Sequence, residues 1–252
     1  MGVCVNPFVA YLVVNDRHLE RFAVSLWSLR QNWSGDVVVL ANRPEDVARV
    51  AAVAGVRVIP FAVDRMARKS DVYLVKSRIG KVLPVGDCLF LDADTTVHGS
   101  LWFPFDVIQN YAVALTRFSD WVTTGSIMRS RIAKWANVVD GGVRQAVNVS
   151  LESSRPAINT GVFAVRAGSW FWAEWERVTA LRPGFICDEI AGQLISAMRP
   201  QEVAVMPELL NCSVKFGKSD KPVVRHYHGG SHAEHPVWLE CRRLAKEAGY
   251  VA

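Results

Sequence analysis

The stretch Cys88-Leu89-Phe90-Leu91-Asp92-Ala93-Asp94-Thr95-Thr96 runs four apolar residues into two carboxylates set one residue apart. A short unbroken apolar run reads as a strand covered on both faces, the kind that builds a parallel sheet between helices. Strand side chains alternate, so Asp92 and Asp94 emerge on one side, and open α/β sheets gather ligands at the carboxyl ends of their strands. The two acids are thereby aimed at the ligand crevice. Unpaired, they would repel each other and one would keep its proton; a divalent cation, a hard acceptor of oxygen ligands, removes that conflict.

The flanking sequence supports a sheet of this kind. Phe8 to Val14 reads as a first strand, followed by a helix whose Leu19, Phe22, Ala23, Leu26 and Leu29 share one buried face. Val37 to Leu40 is a second strand. The next helix opens on Pro44, Glu45 and Asp46 and closes at Gly55, and Val56 to Phe61 is a third strand. A helix from about Asp71 to Val82 then leads into the Cys88 strand. Further strands are expected at Ala112 to Thr116, Gly161 to Val165, Val203 to Met206 and Val223 to Tyr227. Helices are expected at Arg129 to Asn137, Ser169 to Leu181, Asp188 to Met198 and Pro236 to Ala248. The aromatic cluster Trp170, Phe171, Trp172 and Trp175 reads as core packing. Strands alternating with helices define an α/β protein with a mixed, mainly parallel sheet flanked by helices.

Bulk properties narrow the function. With 252 residues, half of them apolar, the chain can bury a large core, and disorder is excluded. No apolar run approaches the roughly 20 residues of a membrane-spanning helix, and no basic region precedes an apolar one at the N-terminus, so a cytoplasmic protein is expected. The cysteines Cys4, Cys88, Cys187, Cys212 and Cys241 are scattered singly, which predicts reduced, structural thiols rather than a zinc site or a disulfide framework. A net charge of +5 favours anionic partners, whether phosphates on a small donor or a nucleic acid. No Lys/Arg cluster with interleaved aromatics supports a nucleic-acid-binding module.

Two enzyme classes place such a dyad after a strand. Leu91-Asp92-Ala93-Asp94-Thr95-Thr96 resembles the motif of haloacid-dehalogenase-type phosphatases, in which Asp92 would be the nucleophile. That class sets its dyad on the first strand and carries a later acidic pair; here three strands come first and no such pair is evident. The second class is the GT-A glycosyltransferases. Lys76 in Tyr73-Leu74-Val75-Lys76 and the stretch from Cys88 to Leu101 resemble the corresponding segment of family 8, the glycogenin-like transferases. Ile158-Asn159-Thr160-Gly161-Val162-Phe163 resembles that family's Asn-Ser-Gly-Val strand, and Cys187-Asp188-Glu189 stands where the family has Asp-Gln. Val224-Arg225-His226-Tyr227-His228-Gly229-Gly230-Ser231-His232 resembles its His-x-x-Gly-x-x-Lys ending. These four matches occur in the family's order.

The resemblance implies one GT-A domain over residues 1–252, with a nucleotide-binding half to about residue 100 and a sugar and acceptor half beyond it. It also implies transfer of a sugar from a nucleoside-diphosphate donor, UDP first, to a glycan, protein, small-molecule or nucleic-acid hydroxyl, with retention at the anomeric carbon. Asp92, Asp94 and His226 are the expected ligands of Mn²⁺, or of Mg²⁺ as second choice, with His228 the alternative imidazole. Asn15 and Asp16 are expected at the nucleotide, and Lys76 and His232 at the phosphates. Asn159, Asp188 and Glu189 are expected at the sugar. His232 replaces the family's lysine, so its charge depends on protonation. Glu189 replaces the usual glutamine, a change expected to alter the acceptor or to shift a carboxylate pKa by like-charge repulsion with Asp188. Trp121, near Phe118, is a candidate to stack on an acceptor or to form part of a lid.

Overall fold

The computed structural model of the protein describes residues 6–63, 71–118, 126–152 and 156–251. Cys4 and Trp121 lie outside these residues. β1 (Phe8–Val13) is buried throughout and feeds α1 (Asp16–Arg30), whose buried residues include Phe22, Ala23, Leu26 and Leu29. β2 (Asp36–Ala41), α2 (Pro44–Ala54) and β3 (Arg57–Pro60) repeat the unit. Pro44 sits in the first turn of α2, and Gly55 closes it in the left-handed conformation at φ 63°, where a Cβ would be strained.

After α3 (Asp71–Ser77) and a 3₁₀ turn at Ile79–Lys81, the chain enters β4 (Cys88–Leu91) and then the short β5 (Thr95–Val97). The remaining elements are α4 (Trp102–Ile108), β6 (Val113–Arg117), α5 (Ser126–Ala133), α6 (Gly141–Glu152), β7 (Ile158–Val165), α7 (Phe171–Leu181) and α8 (Cys187–Met198). β8 (Val203–Met206), β9 (Cys212–Ser213), β10 (Val224–His226) and α9 (Pro236–Glu247) complete the order.

The main sheet has seven strands in the order β3-β2-β1-β4-β7-β6-β8. Pairing is parallel except at β7, which runs antiparallel to both β4 and β6. Period-two alternation divides the core between its faces. Phe8, Ala10, Leu12, Cys88 and Phe90 pack in one cluster with α7 and α8, while Val9, Tyr11, Val13, Leu89 and Leu91 pack in another with α1 and α2. Covering on both faces is the reason these strands read as unbroken apolar runs.

A second, three-stranded sheet stands at the carboxyl end of β4. Its order is β5-β10-β9, with His226 opposite Thr95 and beside Ser213. This small sheet carries His226, distant in sequence, back to the Asp92-Ala93-Asp94 turn.

The expected helix from Asp71 to Val82 stops at Ser77, whose hydroxyl donates to the Leu74 carbonyl, and Gly80 then packs against the base of Trp172. A Cβ on Gly80 would lie 2.4 Å from Trp172, so only glycine admits this approach. β7 begins at Ile158, three residues before the expected Gly161, because its polar Asn159 and Thr160 are buried and hydrogen-bonded rather than in a loop. The helix expected from Arg129 to Asn137 lies at Ser126–Ala133, and α4 and α6 add to the expected set. As expected, Phe171 and Trp175 are fully buried against Phe163.

Candidate active site

Asp92 and Asp94 occupy a turn held from below by an ordered chain of hydroxyls. Thr95 Oγ1 donates to the Asp92 carbonyl at 2.8 Å, so its other neighbour, Ser25 of α1 at 3.1 Å, must donate to it. Ser25 in turn accepts from Tyr11 of β1 at 3.0 Å. The Asp92 amide donates to the Gly161 carbonyl of β7, and the Asp94 carbonyl accepts from the amide of Tyr227, just after β10. The turn is thus fixed from both sheets.

His226 closes the cluster. Its Nε2 stands 3.2 Å from Asp94 Oδ1 and 3.8 Å from Asp92 Oδ2, while its Nδ1 donates to Asn211 Oδ1 at 2.8 Å. That bond commits Nδ1 as the donor, so in the neutral ring the Nε2 lone pair faces the two carboxylates. One ligand atom from each of the three residues lies within 4.8 Å of the others. The imidazole reaches this position because β7 has no side chain at Gly161. A Cβ there would stand 2.2 Å from His226 Cε1 and 2.5 Å from Nδ1. Two carboxylates, a neutral imidazole nitrogen and a glycine cradle fit a divalent cation. His228 stacks on His226 with ring centroids 3.7 Å apart and flanks the cluster.

Electrostatics follow burial and partners. Burial raises the Asp94 pKa, but when His226 carries a second proton its charge and hydrogen bond override this and hold the carboxyl far below its usual range. Burial, then the neighbouring His226, pushes His228 well below the usual histidine value, so it is neutral near pH 7. Lys76 on α3 is buried with its ammonium 2.8 Å from Asp92 Oδ1 and 3.4 Å from Asp188 Oδ2. Burial works against its charge, but Asp92 and Asp188 outweigh that and keep it protonated.

The first turn of α8 brings Asp188 and Glu189. Ile186 just before it holds φ 51°, the single non-glycine positive φ among the described residues, and a β-branched residue there is strained. Trp175 Nε1 donates to the Asp188 carbonyl at 2.9 Å, and Thr160 Oγ1 donates to Asp188 Oδ2 at 2.8 Å. Burial pushes the Asp188 carboxyl up, against the pull of Lys76. The Glu189 carboxyl is raised to about 8, through burial first and Asp188 second.

An amide chain joins these two groups of residues. Asn159 Nδ2 donates to Glu189 Oε1 at 2.7 Å, and Asn159 Oδ1 accepts from both Asn211 Nδ2 and the Gly161 amide, each at 2.7 Å. Asn211 then meets His226, so one continuous path runs from Glu189 to the metal-type cluster.

A cavity of about 580 Å³ opens over this floor, lined by Asp92, Asp94, His226, Asn159, Glu189 and Lys76 among others. Of the residues expected from the sequence, Asn15 and Asp16 are exposed at the end of β1 and outside that lining, with Asp16 paired to Arg43. Leu12, His18 and Arg21 line it instead. His232 packs its ring 5.1 Å from Trp238 and is also outside the lining. Asp188 lies just behind Glu189, buried. Asn211, Arg131 and Lys215 belong to the site and carried no sequence signal beyond being polar.

No protein-family model matches the chain, and no curated protein matches it. Solved structures do. The chain is similar to the galactosyltransferase LgtC, solved in complex with donor and acceptor sugar analogs, with a TM-score of 0.65 at 15% identity over 97% of this chain and 96% of that one. The fold is GT-A. A second GT-A match is the bifunctional glycosyltransferase WbbM, with a TM-score of 0.63 at 16% identity over 96% of this chain and 52% of that one. Mouse xyloside xylosyltransferase 1 has a TM-score of 0.61 at 11% identity over 90% of this chain and 99% of that one. LgtC is a family 8 enzyme, so the resemblance read from the sequence and the likeness in GT-A architecture point the same way.

Proposed function

We propose that the protein is a glycosyltransferase that moves a sugar from a nucleoside-diphosphate donor, UDP first, to a hydroxyl acceptor with retention. The observation that carries this reading is the convergence of Asp92, Asp94 and His226 Nε2 on the floor of the cavity at the carboxyl end of β4. The three would hold Mn²⁺ ahead of Mg²⁺, since one imidazole among carboxylates suits the softer ion. When bound, that cation neutralises charge growing on the departing diphosphate. The GT-A likeness supports a nucleotide-sugar donor.

The chain's own residues then have separate tasks. Lys76 ties Asp92 to Asp188, so the ligand turn and the first turn of α8 keep one spacing. Protonated at neutral pH, Glu189 presents a carboxylic acid that can donate to a sugar hydroxyl rather than repel the anionic donor. Asn159 orients that acid and, through Asn211, the imidazole of His226. The proposed division puts the nucleotide over residues 1–100 and the sugar and acceptor over 101–252, with a glycan, protein, small-molecule or nucleic-acid hydroxyl as acceptor. Described cysteines Cys88, Cys187, Cys212 and Cys241 are buried free thiols, which supports a cytoplasmic setting.

The test is release of nucleoside diphosphate from a panel of nucleotide-sugars, with Mn²⁺, with Mg²⁺ and with chelator. Turnover of one donor only in the presence of a divalent cation is expected. Phosphate release from simple esters with no response to nucleotides would replace this reading with a phosphatase built on Asp92.

A further inference from the structure

We propose that Lys215 grips the donor's diphosphate, the task that the sequence resemblance assigns to His232. The assignment rests on the donor reading above and follows from a balance of charge. A divalent cation offsets Asp92 and Asp94, so a diphosphate bound beside it leaves negative charge for the protein to meet. Among the described residues, four permanent cations line the cavity, Arg21, Lys76, Arg131 and Lys215. Lys76 is committed to Asp92 and Asp188, and Arg21 stands 3.9 Å from Asp94. Arg131 lies over the Phe185 ring at 5.2 Å, near enough to Glu189 for its charge to act on that carboxyl. Among the described residues, Lys215 has no carboxylate within ion-pair distance.

Its backbone is built to hold it there. The amides of Lys215 and Phe216 donate to Ser213 Oγ at 3.2 and 3.3 Å, and the Gly217 amide donates to the Ser213 carbonyl at 2.7 Å. A Cβ on Gly217 would lie 2.3 Å from Cys212 Sγ and 2.6 Å from that carbonyl, so the turn closes this tightly only with glycine. The Val214 amide donates to the His226 carbonyl, which fastens the turn to the strand that carries the imidazole. Phe216 packs on Phe118, and Phe118 on His228, completing the wall between Lys215 and the ligand cluster. Lys215 is thus exposed on the cavity lining, near enough to His228 for its charge to act on that ring, and its flexible stem can carry the ammonium to a phosphate. His232, packed edge-to-face on Trp238, is outside the cavity lining.

Calorimetric titration of UDP and of uridine in the presence of Mn²⁺ tests the assignment on the wild type, Lys215→Ala, Lys215→Arg and His232→Ala. Loss of one charge-assisted phosphate contact predicts UDP affinity about tenfold weaker in Lys215→Ala, with uridine unchanged. Lys215→Arg keeps most of the affinity, and His232→Ala stays within about twofold of wild type by the same reasoning. UDP affinity in Lys215→Ala equal to wild type, or an equal loss for uridine, would overturn the assignment while leaving the donor reading intact. No UDP binding by the wild type overturns the donor reading itself, and this assignment with it.

Discussion

The Nδ1 of His226 lies 2.8 Å from Oδ1 of Asn211, and this one hydrogen bond decides which face the imidazole offers to Asp92 and Asp94. Asn211 is 1% exposed and its amide nitrogen is bound in turn to Asn159, so it cannot rotate to satisfy the histidine any other way. Groups that orient a ligating histidine in this manner are worth about 10–100-fold in metal affinity. Asn211→Ala is therefore expected to weaken Mn²⁺ binding by about that factor. Titration of Mn²⁺ against the variant measures it; wild-type affinity would show that the ring is held by packing alone.

Gly161 makes a sharper version of the same test. Its backbone is not in the left-handed region, so alanine costs nothing in φ, and the added methyl meets the His226 ring at 2.2 Å. Gly161→Ala should fold, with unchanged far-ultraviolet circular dichroism, yet lose stabilisation by Mn²⁺. A variant that folds and still responds fully to Mn²⁺ would place the cation elsewhere.

How much of this could be read from the sequence depends on how local the cause is. The Asp92-Ala93-Asp94 turn was legible because an apolar run followed by two acids has its meaning within nine residues. β1, α1 and α2 were legible for the same reason, in alternation, three-and-four spacing and a glycine stop. The start of β7 was not, since Asn159 and Thr160 look like loop residues until Asp188 and Asn211 are beside them. α4 was hidden by Pro104, which is tolerated only because it falls in the helix's first turn. Asn211, Lys215 and Arg131 owe their places to turns and helices that fold over the sheet, and an uncharged amide or a lone cation carries no mark of that. The nucleotide residues expected at Asn15 and Asp16 illustrate the converse. Their place after β1 was right, but the first turn of α1 faces them to solvent and His18 and Arg21 to the cavity.

Glu189 makes stability depend on pH. Its pKa in the folded protein, about 8, lies above the ordinary value near 4.5, so the fold favours the protonated acid. Its contribution is complete below about pH 4 and is lost as pH rises toward and through 8. Glu189→Gln keeps the Asn159 contact and removes the titration. The variant should melt at the same temperature as wild type near pH 5 and higher near pH 9, read by calorimetric scans. Parallel pH profiles for the two proteins would contradict the assignment of this slope to Glu189.

Lys76 holds two carboxylates, one of them fully buried. Lys76→Met strips the buried Asp188 of its cation, so that the carboxyl must stay charged unpaired or take up a proton, and should destabilise the protein by about 3–5 kcal/mol, the usual effect of breaking a buried pair. Adding Asp188→Asn should recover part of that loss. Chemical denaturation of the single and double variants checks it, and equal stability of the two would show that Asp188 is neutral once Lys76 is gone.

The proposed function requires Asp92, Asp94 and His226 to bind a divalent cation that receives a nucleoside diphosphate. Its most direct test is calorimetric titration of UDP into wild type and Asp94→Asn, each with Mn²⁺ and with chelator. Saturable binding by wild type only with Mn²⁺, and none by Asp94→Asn, is expected. Equal UDP binding by the two proteins, or binding indifferent to the cation, would contradict it.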